Sequence, residues 1–279
     1  MKKTVIILSA LAFIAGGCGQ ATKQQENAGT VVENNGDSID HGHTEKLDDV
    51  TDNIKLVQED LNIILYSDEK GETQHYEDGK ELTKYLKVEL IDKKLYESKK
   101  ADAINFFKAD TEISKHNGVI ELPCTQGKVT FTDNSTGAEN EREFTYLGQI
   151  EALNKYLIAV QYYEDGCYKF IDKENGDEIR FIDFPNISPD KKHIMAIHTD
   201  QYEGGSSVEL WSIDGQKIKR IIHVWYKNWK LNIDDSGNPQ LFFSSDGYLY
   251  ATVKHEKAFW TSDGAFNPNV QYIRIKILN

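Results

Sequence analysis

The chain repeats itself at a spacing of about 40 residues, and this limits its folds more than any single motif does. The clearest copy starts at Ser188-Pro189-Asp190-Lys191, a turn in which Pro sets φ while Ser and Asp bond nearby backbone groups. His193 to His198 follows as a short, mostly apolar run bounded by polar residues, the pattern of a strand covered on both faces. Thr199 to Ser207, with Gly204-Gly205, reads as a loop. Val208 to Ile213 then alternates with period 2, Asp214-Gly215 is a hairpin turn, and Lys217 to Ile222 returns as a third strand. Upstream, Lys155 to Val160 aligns with Lys192 to Ile197, so that Ala159 and Ala196 lie 37 residues apart. Phe131, Phe170 and Leu210 align in the next strand, at spacings of 39 and 40. A looser copy begins at Ser245-Asp246-Gly247, and its Ala251 stands 55 residues after Ala196. The excess falls in Trp225 to Gln240, which has room for one more strand and a Ser-Gly-Asn turn. Val270 to Ile277 is the outer strand of this copy.

About four copies of strand and turn predict a mainly β fold, a propeller-like array of repeated antiparallel blades. The alternative is a β-sandwich of repeated hairpins. The phrase SPDKKHIMAIHTD followed by VELWSIDGQKIKRI resembles the blade pattern of bacterial Tol-type and tryptophan-aspartate-repeat propellers, over roughly residues 116 to 279. There are departures: Ser212 stands where Asp would follow Trp211, and no copy carries the Gly-His signature. The resemblance implies a fold and leaves activity open, since propellers host unrelated functions.

The N-terminal residues read as an address. Lys2-Lys3 is a positive stretch, Val5 to Ala15 is an apolar run too short to span a membrane comfortably, and Ala15-Gly16-Gly17 precedes Cys18. This ending resembles a bacterial lipobox with Ala15 where Leu is commoner, which implies a signal peptide over residues 1–17 and a lipid-bearing Cys18. The protein is then expected in the bacterial cell envelope, anchored to the membrane and facing the periplasm or the exterior. Residues 18–45 are polar and unable to bury much surface, and read as a flexible tether with a reach of roughly 30 Å. Within it, Asp40-His41-Gly42-His43-Thr44-Glu45 has metal-binding side chains but no fixed set of four, and reads as solvated. Residues 46–115 predict a small α/β lobe. Leu47, Val50, Ile54 and Val57 have helical spacing over about 46–60, a strand and its return run from Asn62 to Tyr76, and short helices are expected near 82–90 and 101–107.

The formal charge of −13 falls to −15 if Lys2 and Lys3 leave with a signal peptide. Such acidity argues against nucleic acid as a partner and against attraction to anionic lipid heads, so membrane contact is expected through Cys18 alone. Of the three cysteines, Cys124 and Cys167 fall at the same end of adjacent repeats on this alignment. A disulfide between them is permitted, with a stabilisation of about 3 to 4 kcal/mol.

No catalytic motif stands out, and no catalytic residue, metal site or cofactor is assigned. His193, His198, His223 and His255 are spread evenly through strand positions, and Asp172 to Asp177 reads as a hairpin turn although it faintly resembles a calcium loop. Trp225, Tyr226, Trp229, Phe259 and Trp260 are the most distinctive side chains. Tyr202, Glu203, Trp225 and Trp229 form the candidate binding face. The expected function is a lipid-anchored, non-catalytic binding or scaffolding module for an envelope protein, peptide or glycan. Two alternatives are an envelope hydrolase or lyase on glycans or peptides, and an inhibitor or immunity-type lipoprotein with an acidic capture surface.

Overall fold

The structure, a computed structural model, describes residues 52–69, 72–81, 84–137, 140–163, 165–202, 204–234 and 239–278. Cys18, Glu203 and the His41/His43 stretch lie outside the described residues, as do the signal and tether segments.

The described chain opens with a 3-10 turn, Gln58–Asn62, and a hairpin of β1 (Ile63–Glu69) and β2 (Glu72–Glu81). Next come β3 (Leu86–Ile91), helix α1 (Lys93–Lys100), β4 (Ala103–Ile104) and β5 (Lys108–Ala109). Helix α1 starts where Asp92 Oδ1 accepts from the Leu95 amide at 2.7 Å, satisfying one of the free donors of its first turn. A second hairpin pairs β6 (Val119–Cys124) with β7 (Gly127–Thr132). The repeated region follows as a meander of β8 (Arg142–Ile150), β9 (Lys155–Tyr162), β10 (Gly166–Asp172) and β11 (Glu178–Phe181). A further meander comprises β12 (Asn186–Ile187), β13 (His193–His198), β14 (Ser206–Asp214) and β15 (Lys217–Tyr226). The chain ends with β16 (Trp229–Leu231), β17 (Leu241–Ser244), β18 (Leu249–His255) and β19 (Gln271–Ile277).

The fold is mainly β, with several antiparallel sheets and none closed on itself. The β9 sheet has the order β11-β10-β9-β8-β5, and the β13 sheet β12-β13-β14-β15-β1-β2. The β18 sheet runs β3-β19-β18-β17-β4, with β16 also paired to β18. The aligned alanines Ala159, Ala196 and Ala251 each sit in the strand for which its sheet is named here, an interior strand paired on both edges, so the repeat in the sequence is a repeat in topology.

Alternation along these strands sorts side chains into three cores and so stacks the sheets face to face. Ile120, Leu122 and Phe131 of the β6–β7 hairpin bury against Ile158, Val160 and Ile171 of the β9 sheet. Leu157, Phe170 and Phe181, on the other side of that sheet, meet Ile194 and Ala196 of β13. Met195 and Ile197, pointing the opposite way from β13, meet Leu249, Ala251 and Val253 of β18 in the largest core. Strand β13 is thus covered on both faces, the pattern its unbroken apolar run suggests. The outward face of the β18 sheet is covered differently: Tyr96 of α1 packs on Phe242 and Tyr272 at one end, and a loop carrying Phe259 and Phe266 covers the other.

The described strands of the segment expected as a small lobe, residues 46–115, each pair into one of the three large sheets. Strands β1 and β2 extend the β13 sheet, β3 and β4 border the β18 sheet, and β5 adds to the β9 sheet. The helix expected near 82–90 is strand β3, because Leu86, Val88 and Leu90 also alternate, and pairing with β19 buries Leu86 and Val88. The helix expected over 46–60 is a 3-10 turn at its described end, and the one expected at 101–107 gives way to β4 after α1.

Candidate binding site

The site is built by two loops that meet over the end of β16 and β18. The first, residues 199–205, enters β14 through Gly205 at φ 77°, where a Cβ would come within 1.8 Å of the Tyr226 carbonyl oxygen. Only glycine fits there. The loop is fastened at Thr199, Gln201 and Gly204. Thr199 Oγ1 bonds Ser206 Oγ at 2.7 Å and accepts from the Leu231 amide at 3.0 Å, and the Gln201 carbonyl accepts from Lys230 Nζ and Trp260 Nε1, both at 3.1 Å. Trp225 Nε1 donates to the Gly204 carbonyl at 2.5 Å. Tyr202, at the tip, is 87% exposed.

The second loop, Phe259 to Asn267, is closed by bonds from the Thr261 amide to the Ala265 carbonyl (2.8 Å) and from the Asn267 amide to the Phe259 carbonyl (3.1 Å). Trp260 stacks on Phe266 at 4.3 Å between centroids, and Tyr202 lies over Trp260 at 6.2 Å with its ring 24° from parallel. Phe259 stands perpendicular to both Trp260 and Phe266. The result is a column of three near-parallel rings, wet at Tyr202 and at Phe266, which is 38% exposed. Beneath it Lys230 and Lys254 lie directly opposite each other across the β16–β18 ladder, with their ammonium groups 5.0 and 5.5 Å from the Phe259 centroid.

Of the residues proposed from sequence, Tyr202 takes part in this surface and Trp225 anchors the loop from behind. Trp225 is half-buried against Tyr66, 5.7 Å between ring centroids. Trp229 is a correction. It is fully buried in the largest core beside Tyr226, and its Nε1 donates to the Leu61 carbonyl at 3.2 Å, so it holds sheets together and presents no face. Its place was not legible because a three-residue strand shows no alternation. Phe266, Lys230 and Lys254 were missed altogether, since a lysine in a strand ordinarily signals the solvent side.

Cys124 and Cys167 are free thiols, a second correction. Cys124 Sγ lies 3.5 Å from the Asp172 carbonyl, at the opposite end of β10 from Cys167. Five strand residues separate the two ends by roughly 17 Å, far beyond the reach of about 7 Å between α-carbons that a disulfide allows. Asp172 is a turn residue: its Oδ1 accepts from the Glu174 and Asn175 amides while Oδ2 pairs with Lys155.

His198 and His223 lie with Asp183, Ser207 and Glu209 on the face of β13–β15 turned toward the β9 sheet, whereas His193 falls on the opposite face of β13 and His255 at the end of β18. His198 Nδ1 bonds Asp183 Oδ2 at 3.2 Å, and this bond, against the opposing effect of burial, raises the imidazole above its ordinary pKa. Ser207 Oγ and His223 Nε2 are 2.5 Å apart, and burial holds His223 below its ordinary value and therefore neutral near pH 7. Glu209 is buried and accepts from the Ile182 amide, Trp211 Nε1 and Arg220 Nη1, which leaves no carboxylate free to orient His223 from that position. Ser207 is itself buried, at the second position of β14. A cleft of about 220 Å³ opens elsewhere, between β4, β12 and β17, and its walls (Ile104, Phe106, Asn186, Ile187 and Phe242 among them) carry no acid or base.

No protein-family model and no curated protein matches this chain. A solved structure, from a structural and mechanistic study of two prolyl endopeptidases, is similar at 13% identity and a TM-score of 0.26. The match covers 59% of this chain and 29% of that one, so the chain spans under a third of its length. A likeness so distant carries no weight for fold or activity.

Proposed function

We propose that this chain is a lipid-anchored, non-catalytic binding module of the bacterial cell envelope, which holds an envelope glycan or peptide against the Tyr202–Trp260–Phe266 rings. One observation carries it: a tyrosine ring 87% exposed at a loop tip that backbone bonds and a required glycine hold in place. Rings presented on a fixed loop bind with little ordering cost. Sheets stacked face to face, each built round an antiparallel meander, are also how propeller blades pack, and the array is taken here as propeller-like and open at the β18 sheet. Lipidation at Cys18, followed by a polar tether, would hold this surface a few tens of ångströms from the membrane.

The test has two arms. Replacement of Cys18 by Ala is expected to move the protein from the membrane fraction to the soluble fraction and to abolish incorporation of a fatty-acid label; unchanged fractionation and labelling would remove the anchor. Soluble wall glycan fragments and envelope peptides are titrated against the purified protein by tryptophan fluorescence. Tyr202→Ala and Trp260→Ala are each expected to weaken the binding partner roughly tenfold or more, the loss usual for a central aromatic contact. Equal binding by both variants would refute the ring surface.

A further inference from the structure

Lys254 is the most anomalous charge among the described residues. It is 3% exposed and makes no hydrogen bond or ion pair among the described residues; its ammonium lies 5.5 and 5.6 Å from the centroids of Phe259 and Phe266. Ring faces attract a cation but do not replace the hydrogen bonds it loses on leaving water. Burial accordingly lowers the affinity of Lys254 for its proton. Directly opposite in the ladder stands Lys230, 2% exposed, and like charges so placed repel. Thr252, two residues before Lys254 and so on the same face of β18, is 7% exposed, and its Oγ1 is buried with no hydrogen-bond partner. Thr252 Oγ1 thus stands buried and unsatisfied two residues along the strand from an ammonium with no hydrogen bond or ion pair among the described residues, beside a second lysine, in a chain whose formal charge is −13.

We infer that the outward face of β16 and β18, beneath the Phe259–Phe266 loop, is an anion site for a carboxylate carried on a ring or hydrocarbon body. One carboxylate oxygen accepts from Lys254 Nζ and the other from Thr252 Oγ1, while Lys230, which donates to the Gln201 carbonyl, adds positive charge. A single negative charge offsets the Lys254 ammonium, and the apolar body of the ligand takes its place against Phe266 and Trp260. Phe266, the more exposed of the two rings over Lys254, is displaced on entry. The assignment deepens the ring surface proposed above by naming the group that the ligand must carry.

Benzoate, its neutral analogue benzamide and inorganic phosphate are the probes, titrated by calorimetry against the purified full chain, with wild type, Lys254→Met, Thr252→Val and Tyr202→Ala compared. Benzoate is expected to bind saturably, benzamide not at all, and phosphate not to displace benzoate at tenfold excess. Lys254→Met is expected to weaken benzoate at least tenfold while melting at or above the wild-type temperature, since it removes from a largely buried side chain a charge that has no hydrogen bond or ion pair among the described residues. Thr252→Val weakens benzoate less, with the charge unchanged. Tyr202→Ala, which removes the outer ring of the column, is expected to weaken benzoate less than Lys254→Met does. Benzamide binding as well as benzoate, unchanged benzoate binding in Lys254→Met, or no binding of any probe would overturn the site. Phosphate displacing benzoate would overturn the carboxylate assignment. Glycan or peptide capture that survives in Lys254→Met after benzoate binding has failed in the wild type sinks this inference alone, whereas benzoate binding with no Tyr202-dependent capture sinks the ring surface alone.

Discussion

Lys155 and Asp172 show how much rests on single side chains here. Both are nearly buried, and they pair across β9 and β10 at the turn that Asp172 also shapes through the Glu174 and Asn175 amides. Burial alone would raise the pKa of Asp172, but the bond from Lys155 and those two amides outweigh it and hold the carboxyl below its usual range. Asp172→Asn strands a buried ammonium, and a loss of about 3 kcal/mol is expected, which lowers the melting temperature of a domain this size by roughly 6–12 °C. A lowered carboxyl contributes stability that is present above about pH 4 and lost as pH falls through the folded value. Wild type and variant are therefore expected to converge in thermal melts below that pH, and a constant gap would refute the ion pair. Histidines give a further test, with both signs represented. His193 and His223 are held low by burial, so their contribution is present above about pH 6.5 and is lost as pH falls through their folded values, whereas His198, raised by Asp183, gains stability over the same descent. His198→Gln is expected to steepen the loss of melting temperature between pH 7 and 5, and His223→Asn to flatten it; urea melts at each pH decide.

At the scale of elements, strand crossings depend on residues that carry no side chain. β8 bulges between Tyr146 and Gly148 where β5 crosses it, and Gly148 has φ 142° with the Lys108 carbonyl 2.2 Å from where a Cβ would stand. Gly148→Ala is expected to cost at least about 2 kcal/mol, from a backbone conformation that suits only glycine and from the lost β5 pairing. A melting temperature within 1 °C of wild type would show that β5 is dispensable. The sequence could not reveal this contact, because it joins residues 40 apart through a bulge without any pattern of its own. Local chemistry, by contrast, was legible. The Ser188 turn forms as read, with Ser188 Oγ donating to Asp190 Oδ1 at 2.6 Å, and Asp214-Gly215 joins β14 to β15 with Gly215 at φ 59°. Where two periods fit the same residues, as at Leu86, Val88 and Leu90, only the partner strand β19 decided between helix and strand. The binding surface divides likewise: Tyr202 in a Gly-rich loop announces exposure, while buried Lys254 sits in a strand where period 2 alone would place it in solvent.

For the whole molecule, the order in which strands pair sets what can be removed. Strands β1 and β3 come early in the chain but pair with β15 and β19 near its end, the Tyr66–Trp225 and Val88–Ile275 partners being typical. With the preceding turn they contribute Leu56, Leu61, Ile64, Leu86 and Val88 to the largest core, all essentially without solvent contact. Complete burial of such a side chain stabilises by about 1.5–3 kcal/mol, so the five together contribute about 7–15 kcal/mol. That is the whole net stability of an ordinary domain, about 5–15 kcal/mol. Residues 93–279 alone are therefore expected to lack a cooperative thermal transition and fixed near-ultraviolet circular dichroism, although they keep every strand of both complete meanders. A separate peptide of residues 46–92, added during refolding, is expected to restore both signals by supplying the two sheet borders. If the shorter chain melted cooperatively without the peptide, residues 46–92 would be an appendage on a self-sufficient array. The early strands would then decorate a core that, in the packing described here, they help to form.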